Sequence, residues 1–208
     1  MRRLLRWLCR CAQPTTREIA IGTMAANIPA YPWFGVAEGD EIEQGDILEG
    51  CPVFLPPKDL AVSAVTNETK ANFIWQEQDL VLMSQSCDLA KGREKVDDVL
   101  LCAVWKRSEL TTGELAKEDG MENARRGRMP AFHVLASSDV SGFEGEVRVV
   151  DFRRVFSLPV AFVRERAGMG KRLRLLPPYR EHLSQSFARF FMRVGLPIDI
   201  PAFTTRKK

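Results

Sequence analysis

Apolar residues along the chain fall in short runs separated by turn residues. In "EIEQGDILEGCPVFLP" a turn at Gln44-Gly45-Asp46 is followed by apolar positions out to Leu55 and a stop at Pro56-Pro57. "LAVSAVT" (60–66) has the β-branched content of a strand. "DLVLMSQ" (79–85) and "VDDVLLCAVW" (96–105) are unbroken apolar runs, as in strands buried on both faces, with the charged connection "GREKVDD" between them. Residues 106–130 are polar and mixed in charge, which predicts a long loop or a loop with a short helix. "AFHVLAS" (131–137) and "GEVRVVDFRRVFSLP" (145–159) predict two further strands joined by a Ser, Asp and Gly-rich turn, and "KRLRLLP" (171–177) a last short one. A single amphipathic helix is predicted in "PPYREHLSQSFARFFMRVGLP". Pro178 suits its first turn, and Leu183, Phe187, Phe190, Phe191 and Val194 form an apolar stripe. Gly195 and Pro197 stop it.

Strands at roughly ten-residue spacing closed by one helix predict a mainly β (α+β) fold, a small SH3-like β-barrel with a C-terminal amphipathic helix. Residues 24–205 are expected to form one globular domain, long enough to bury a core. "MRRLLRWLCRCAQ" at the start segregates Leu4, Leu5, Trp7, Leu8 and Cys11 from Arg3, Arg6 and Arg10. That pattern fits a basic membrane-surface helix, or an Arg-rich segment like a transit peptide. Residues 1–23 are expected to lie outside the fold, disordered or not native, because Met24 opens the better-patterned sequence.

Charge changes the picture. The net +3 of the 208 residues is carried by the ends: residues 1–23 hold five Arg and one Glu, and a basic tail (206–208) adds three cations. Residues 24–205 hold 22 basic and 26 acidic residues, so bulk charge makes no case for nucleic-acid binding. The charge is polarised, however. Residues 24–110 hold 7 basic and 15 acidic residues against 15 and 11 in 111–205, so one half could present a basic face. No apolar run reaches the roughly 18 residues of a membrane span. Of the five cysteines, Cys51, Cys87 and Cys102 have no metal-ligand spacing, Cys9-x-Cys11 is a metal-type pair with no later partner pair, and no disulfide framework is implied. A reducing, cytoplasmic setting is therefore expected, with no metal and no cofactor.

The chemistry-bearing stretch is "SQSCD", which ends the apolar run of residues 79–83. Ser84, Gln85, Ser86, Cys87 and Asp88 at a strand end would sit on a rigid platform. Cys87 could act as a nucleophile with His133 or His182 as base and Asp88 or Asp151 as third member. The same residue types also bond to nearby backbone in ordinary turns, and a free Cys packs as a small apolar residue. His182, Gln185, Arg189 and Arg193 line one flank of the predicted helix, as a phosphate- or partner-contacting stripe or as a solvated face. Arg153 and Arg154 are adjacent on a predicted strand, so at most one is expected in any given site. His133 is expected as a hydrogen-bonded strand residue.

"QGDILEG", then "DLVLMSQSCDLA", then "VDDVLLCAVW" together resemble the small-barrel toxins of the MazF/PemK type, and "VVDFRRVFSL" matches one of their later strands. The resemblance covers residues 44–158 and implies the barrel fold and an endoribonuclease activity. In that family activity relies on an Arg before the second strand and a Ser or Thr at its end. Ser84 matches the second position, but Glu77, Gln78 and Asp79 occupy the first. An acidic stretch there repels a phosphodiester, so Arg125, Arg126, Arg128, Arg153 or Arg154 would have to supply the cation. "SQSCD" and the terminal helix also resemble stretches of uncharacterised bacterial proteins. No P-loop, Gly-x-Gly-x-x-Gly, HExxH, CxxC pair or Gly-x-Ser-x-Gly elbow is present. Three readings follow. The first is a bacterial binding or regulatory module for a protein partner or RNA, acting through Ser84–Asp88 with Arg153, Arg154, His182, Arg189 and Arg193 as further contacts. The second is a divergent endoribonuclease toxin. The third is a thiol-dependent enzyme using Cys87.

Overall fold

The computed structural model describes residues 31–58, 60–61 and 74–192. Residues 1–23, most of the expected 60–66 strand, Arg193, the Gly195–Pro197 stop and the tail lie outside the described residues. Among the described residues, seven strands and three α-helices follow in the order β1 (Phe34–Ala37), β2 (Ile47–Leu55), β3 (Ile74–Leu82), β4 (Asp98–Lys106), α1 (Glu118–Arg125), β5 (Phe132–Leu135), β6 (Arg148–Pro159), α2 (Val160–Gly168), β7 (Arg172–Leu175) and α3 (Tyr179–Phe191).

All strand pairs are antiparallel, in a five-stranded sheet of order β2-β3-β4-β6-β5 and a two-stranded sheet β1-β7. The fold is therefore mainly β, as expected. The sheets are not closed into a barrel: β2 and β5 end the larger sheet. The isolated bridge Asp46–Arg174 links the start of β2 to the smaller sheet.

The unbroken apolar runs explain why the large sheet is covered on both faces. Side chains alternate along a strand, so an unbroken run serves two cores at once. Leu80, Leu82, Val99 and Leu101 enter one core with Val160, Val163 and Ala167 of α2. Val81, Met83, Cys102 and Val104 enter the other, together with Leu183 of α3 and the half-buried Phe187 and Phe190. A helix thus covers each face; the sequence predicted α3 and allowed a short helix within residues 106–130, where α1 lies, but did not foresee α2.

Two irregularities aim side chains. The β2–β3 register shifts between Leu48 and Cys51, where Gly50 takes a left-handed φ of +58° and donates its N–H to Asp79 Oδ1 at 2.8 Å. The β4–β6 register jumps from Cys102↔Val155 to Ala103↔Asp151, leaving Phe152, Arg153 and Arg154 without partners on β4. Strict alternation fails there. Arg153 and Arg154 consequently line the same groove, which corrects the expectation that at most one would join a site.

Candidate functional site at the end of β3

The strand end is built by hydrogen bonds that use most of its polar groups. Met83 N and Ser84 N both donate to Leu100 O, at 2.8 and 3.3 Å, and Ser84 Oγ accepts from Leu100 N at 2.9 Å. Ser84 thus closes the β3–β4 ladder in place of a backbone carbonyl. Ser86 Oγ accepts from Gln44 N at 3.1 Å, tying the connection to the turn before β2. Ser86–Asp88 form one 3-10 turn, and Leu89 behind it is buried in the core beneath α2. Asp88 Oδ1 accepts from Lys95 Nζ at 3.0 Å and from Cys87 Sγ at 3.6 Å. The Lys95 hydrogen bond holds the Asp88 carboxyl below its usual range.

Gln85 and Cys87 are left exposed. They form one wall of a pocket of about 350 Å³ together with Gln44 and Ser86. The other wall is α3, through Arg180, Glu181, Ser184 and Gln185. Ser184 Oγ joins the walls: it accepts from Gln85 Nε2 at 3.3 Å and from Gln44 Nε2 at 3.4 Å, and Gln44 Nε2 also reaches Met83 O at 2.8 Å. Gln44 is only 5% exposed, so its amide is fixed in place. Charges at the rim are balanced. Arg180 lies 3.5 Å from Glu43 Oε2 and 2.9 Å from Glu181 Oε1. Burial pushes the Glu181 carboxyl up, but the Arg180 hydrogen bond and other contacts leave it below its usual value and ionised.

A line of ion pairs runs from this rim into the interior. Glu43 meets Arg174 Nη1 at 2.5 Å, and Arg174 donates to Asp46 through both Nε and Nη2. Asp46 is fully buried and also accepts from Arg172 Nε at 2.8 Å.

The other expected site residues fall into two separate cavities. His133 on β5 and His182 and Arg189 on α3 line one of about 230 Å³, with Arg125 and Arg126. Burial pushes the His133 imidazole down to about 4, with His182 adding to the effect. Arg153 and Arg154 line a cavity of about 520 Å³ between β4, β6 and residues 109–115. Arg153 is bidentate to Asp151 (2.9 and 2.8 Å) and lies over the Phe132 ring, while Arg154 lies over Trp105. Neither histidine therefore lines the Cys87 pocket, and neither of the arginine groups proposed for Ser84 does. Among the described residues no group of three or more His, Cys, Asp or Glu is placed to hold a metal ion.

Sequence reasoning missed Gln44, Arg180, Glu181 and Ser184. Gln44 reads as a plain turn residue, and Ser184 sits between stripe positions of its helix. Their role exists only once β2, β3 and α3 converge. No protein-family model matches the chain, and no curated protein matches it either.

Proposed function

We propose that the protein is a binding module whose contact surface is the pocket between the Ser84–Asp88 connection and α3. One observation carries this reading: Ser184 Oγ receives donors from both Gln44 and Gln85, so two distant chain segments hold the pocket open in one geometry. Preorganised polar walls of this kind favour binding, because little ordering is left for the complex to impose. The walls offer amides and hydroxyls around a balanced pair of charges, which suits an uncharged polar segment of a protein partner. A catalytic reading needs an activated nucleophile, and here Ser84 Oγ is spent on Leu100 N while Cys87 Sγ points to a carboxylate. The SH3-like part of the expectation enters this proposal only through the Asp46–Arg174 bridge, the seam along which the two sheets would close.

The test uses the full chain with Cys9 and Cys11 replaced by Ser and an environment-sensitive dye on Cys87. Titration with unstructured peptides and with single-stranded RNA should give a saturable dye response to a peptide, at least tenfold weaker in Ser184→Ala. RNA cleavage by the unlabelled chain that is lost in Cys87→Ala or Ser84→Ala, or growth arrest on expression relieved by either change, would overturn the reading.

A further inference from the structure

The cavity between α1, β5 and α3 is built differently. Arg125 and Arg126 close α1, and Glu122 one turn earlier accepts from both. Arg125 reaches it through Nε at 2.6 Å and Nη2 at 2.7 Å, and Arg126 through Nε at 2.5 Å. Those two guanidiniums hold the Glu122 carboxyl down to about 2. It remains ionised and clamps side by side two cations that would otherwise repel. Gly127 then takes a left-handed φ of +70°, and Gly127 N and Arg128 N bond back to Ala124 O and Asn123 O. The Ala124 and Asn123 carbonyls near the end of α1 are thereby occupied.

Opposite, α3 presents His182, Ser186 and Arg189, spaced by four and three positions and so on one face. His133 lies half-buried on β5, its ring against Phe152. Neither imidazole makes a hydrogen bond with a described residue, and Arg189 makes no ion pair with one. Among the described residues no carboxylate lines the cavity. Three guanidiniums against the single Glu122 leave two positive charges facing a concavity of about 230 Å³.

We propose that this cavity binds a phosphomonoester dianion. The charge matches, since such a group carries about −1.5 to −2 at neutral pH. Guanidinium forks pair with its oxygens in two-pronged fashion. Ser186 and His133 supply neutral donors: at pH 7 the His133 ring is uncharged and carries one N–H. The groups facing His133 are Arg125 and Arg126 from α1 and His182 and Arg189 from α3. A bound dianion would place a negative charge at that ring and would raise its pKa. The site is separate from the pocket at the end of β3 and stands whether or not that pocket binds a partner.

The experiment is a titration of the full chain at pH 7 and constant ionic strength, read by the histidine ring resonances. The chain has two histidines, so His182→Asn completes the assignment. Inorganic phosphate and phenyl phosphate should each shift His133 saturably and raise its pKa. Arg189→Gln, an exposed change on α3, should weaken both at least fivefold. Dimethyl phosphate, with one charge, should bind at least tenfold more weakly. Phenyl phosphate binding tighter than inorganic phosphate identifies an organic monoester as the source, and equal binding identifies free phosphate; either sustains the proposal. No saturable shift, an unchanged affinity in Arg189→Gln, or a diester as tight as the monoester would overturn it.

Discussion

Cys87 and its two buried counterparts show how one residue type divides by environment. Cys51 and Cys102 are sealed in the sheet, and burial pushes their thiols up to about 11 and about 12. Cys87 is exposed. Alkylation of the native chain, read peptide by peptide, should label Cys87 within minutes and leave Cys51 and Cys102 unmodified until denaturant is added; equal labelling would mean the sheet opens readily. His133 gives a pH prediction. Its folded pKa of about 4 lies below the unfolded value near 6.5, so stability is full above pH 6.5 and is lost as pH falls toward 4. The loss amounts to about 3 kcal/mol at most. Denaturant melts of the parent and His133→Asn at pH 7 and pH 4.5 should show the parent losing more. The sequence foretold "SQSCD" as a strand end, and the structural use of Ser84, Ser86 and Asp88 was one of the two readings it allowed. It did not place the histidines, because β5 and α3 meet only through tertiary packing.

At the scale of elements, α3 was the most legible because its apolar residues recur on one stripe. Leu183 is fully buried, and Leu183→Ala should cost about 2–5 kcal/mol in a urea melt. A cost below about 1 kcal/mol would mean α3 is not sealing that face. By contrast α2 follows β6 directly after Pro159 with no turn residue between, and its apolar stripe is interrupted by Arg164. That arginine is buried and spends its donors on Leu89 O at 2.7 Å, Asp40 O at 3.1 Å and Glu94 at 3.0 Å. A charge satisfied by distant carbonyls looks like a solvent-facing position in one dimension. β1 was missed for a related reason: it has only four residues, and its ladder is to β7, far along the chain. The Arg153–Arg154 misreading came from a bulge, which leaves no mark in the apolar pattern of β6.

At the scale of the whole molecule, three hydrophobic clusters among the described residues draw on one sheet, the smallest of them joining Val149 to Met121 and Ala124 of α1, and the buried Asp46 cluster pins the smaller sheet beside it. Arg172 is 4% exposed, so neutralising its partner strands a buried charge. Asp46→Asn should therefore destabilise by about 3–5 kcal/mol, measured by denaturant unfolding. A loss under about 1 kcal/mol would show that the cluster is not holding the sheets together. The charge asymmetry seen in the sequence is partly levelled by the fold, because Arg172, Arg174 and Arg180 of the basic half pair with Glu43 and Asp46 of the acidic half. Glu43, Asp46 and Asp88 lie at the end of β3, whereas Arg125, Arg126 and Arg189 gather around His133. Among the described residues no helix is long and apolar enough to cross a membrane. The contact surface proposed above is the braced pocket at the end of β3. An NMR screen of the full chain with uncharged amide- and hydroxyl-bearing fragments addresses it most directly. Hits should perturb the amides of Gln44, Gln85, Ser86 and Ser184 together, and lose that effect in Ser184→Ala; fragments that bind while leaving all four untouched would contradict the account.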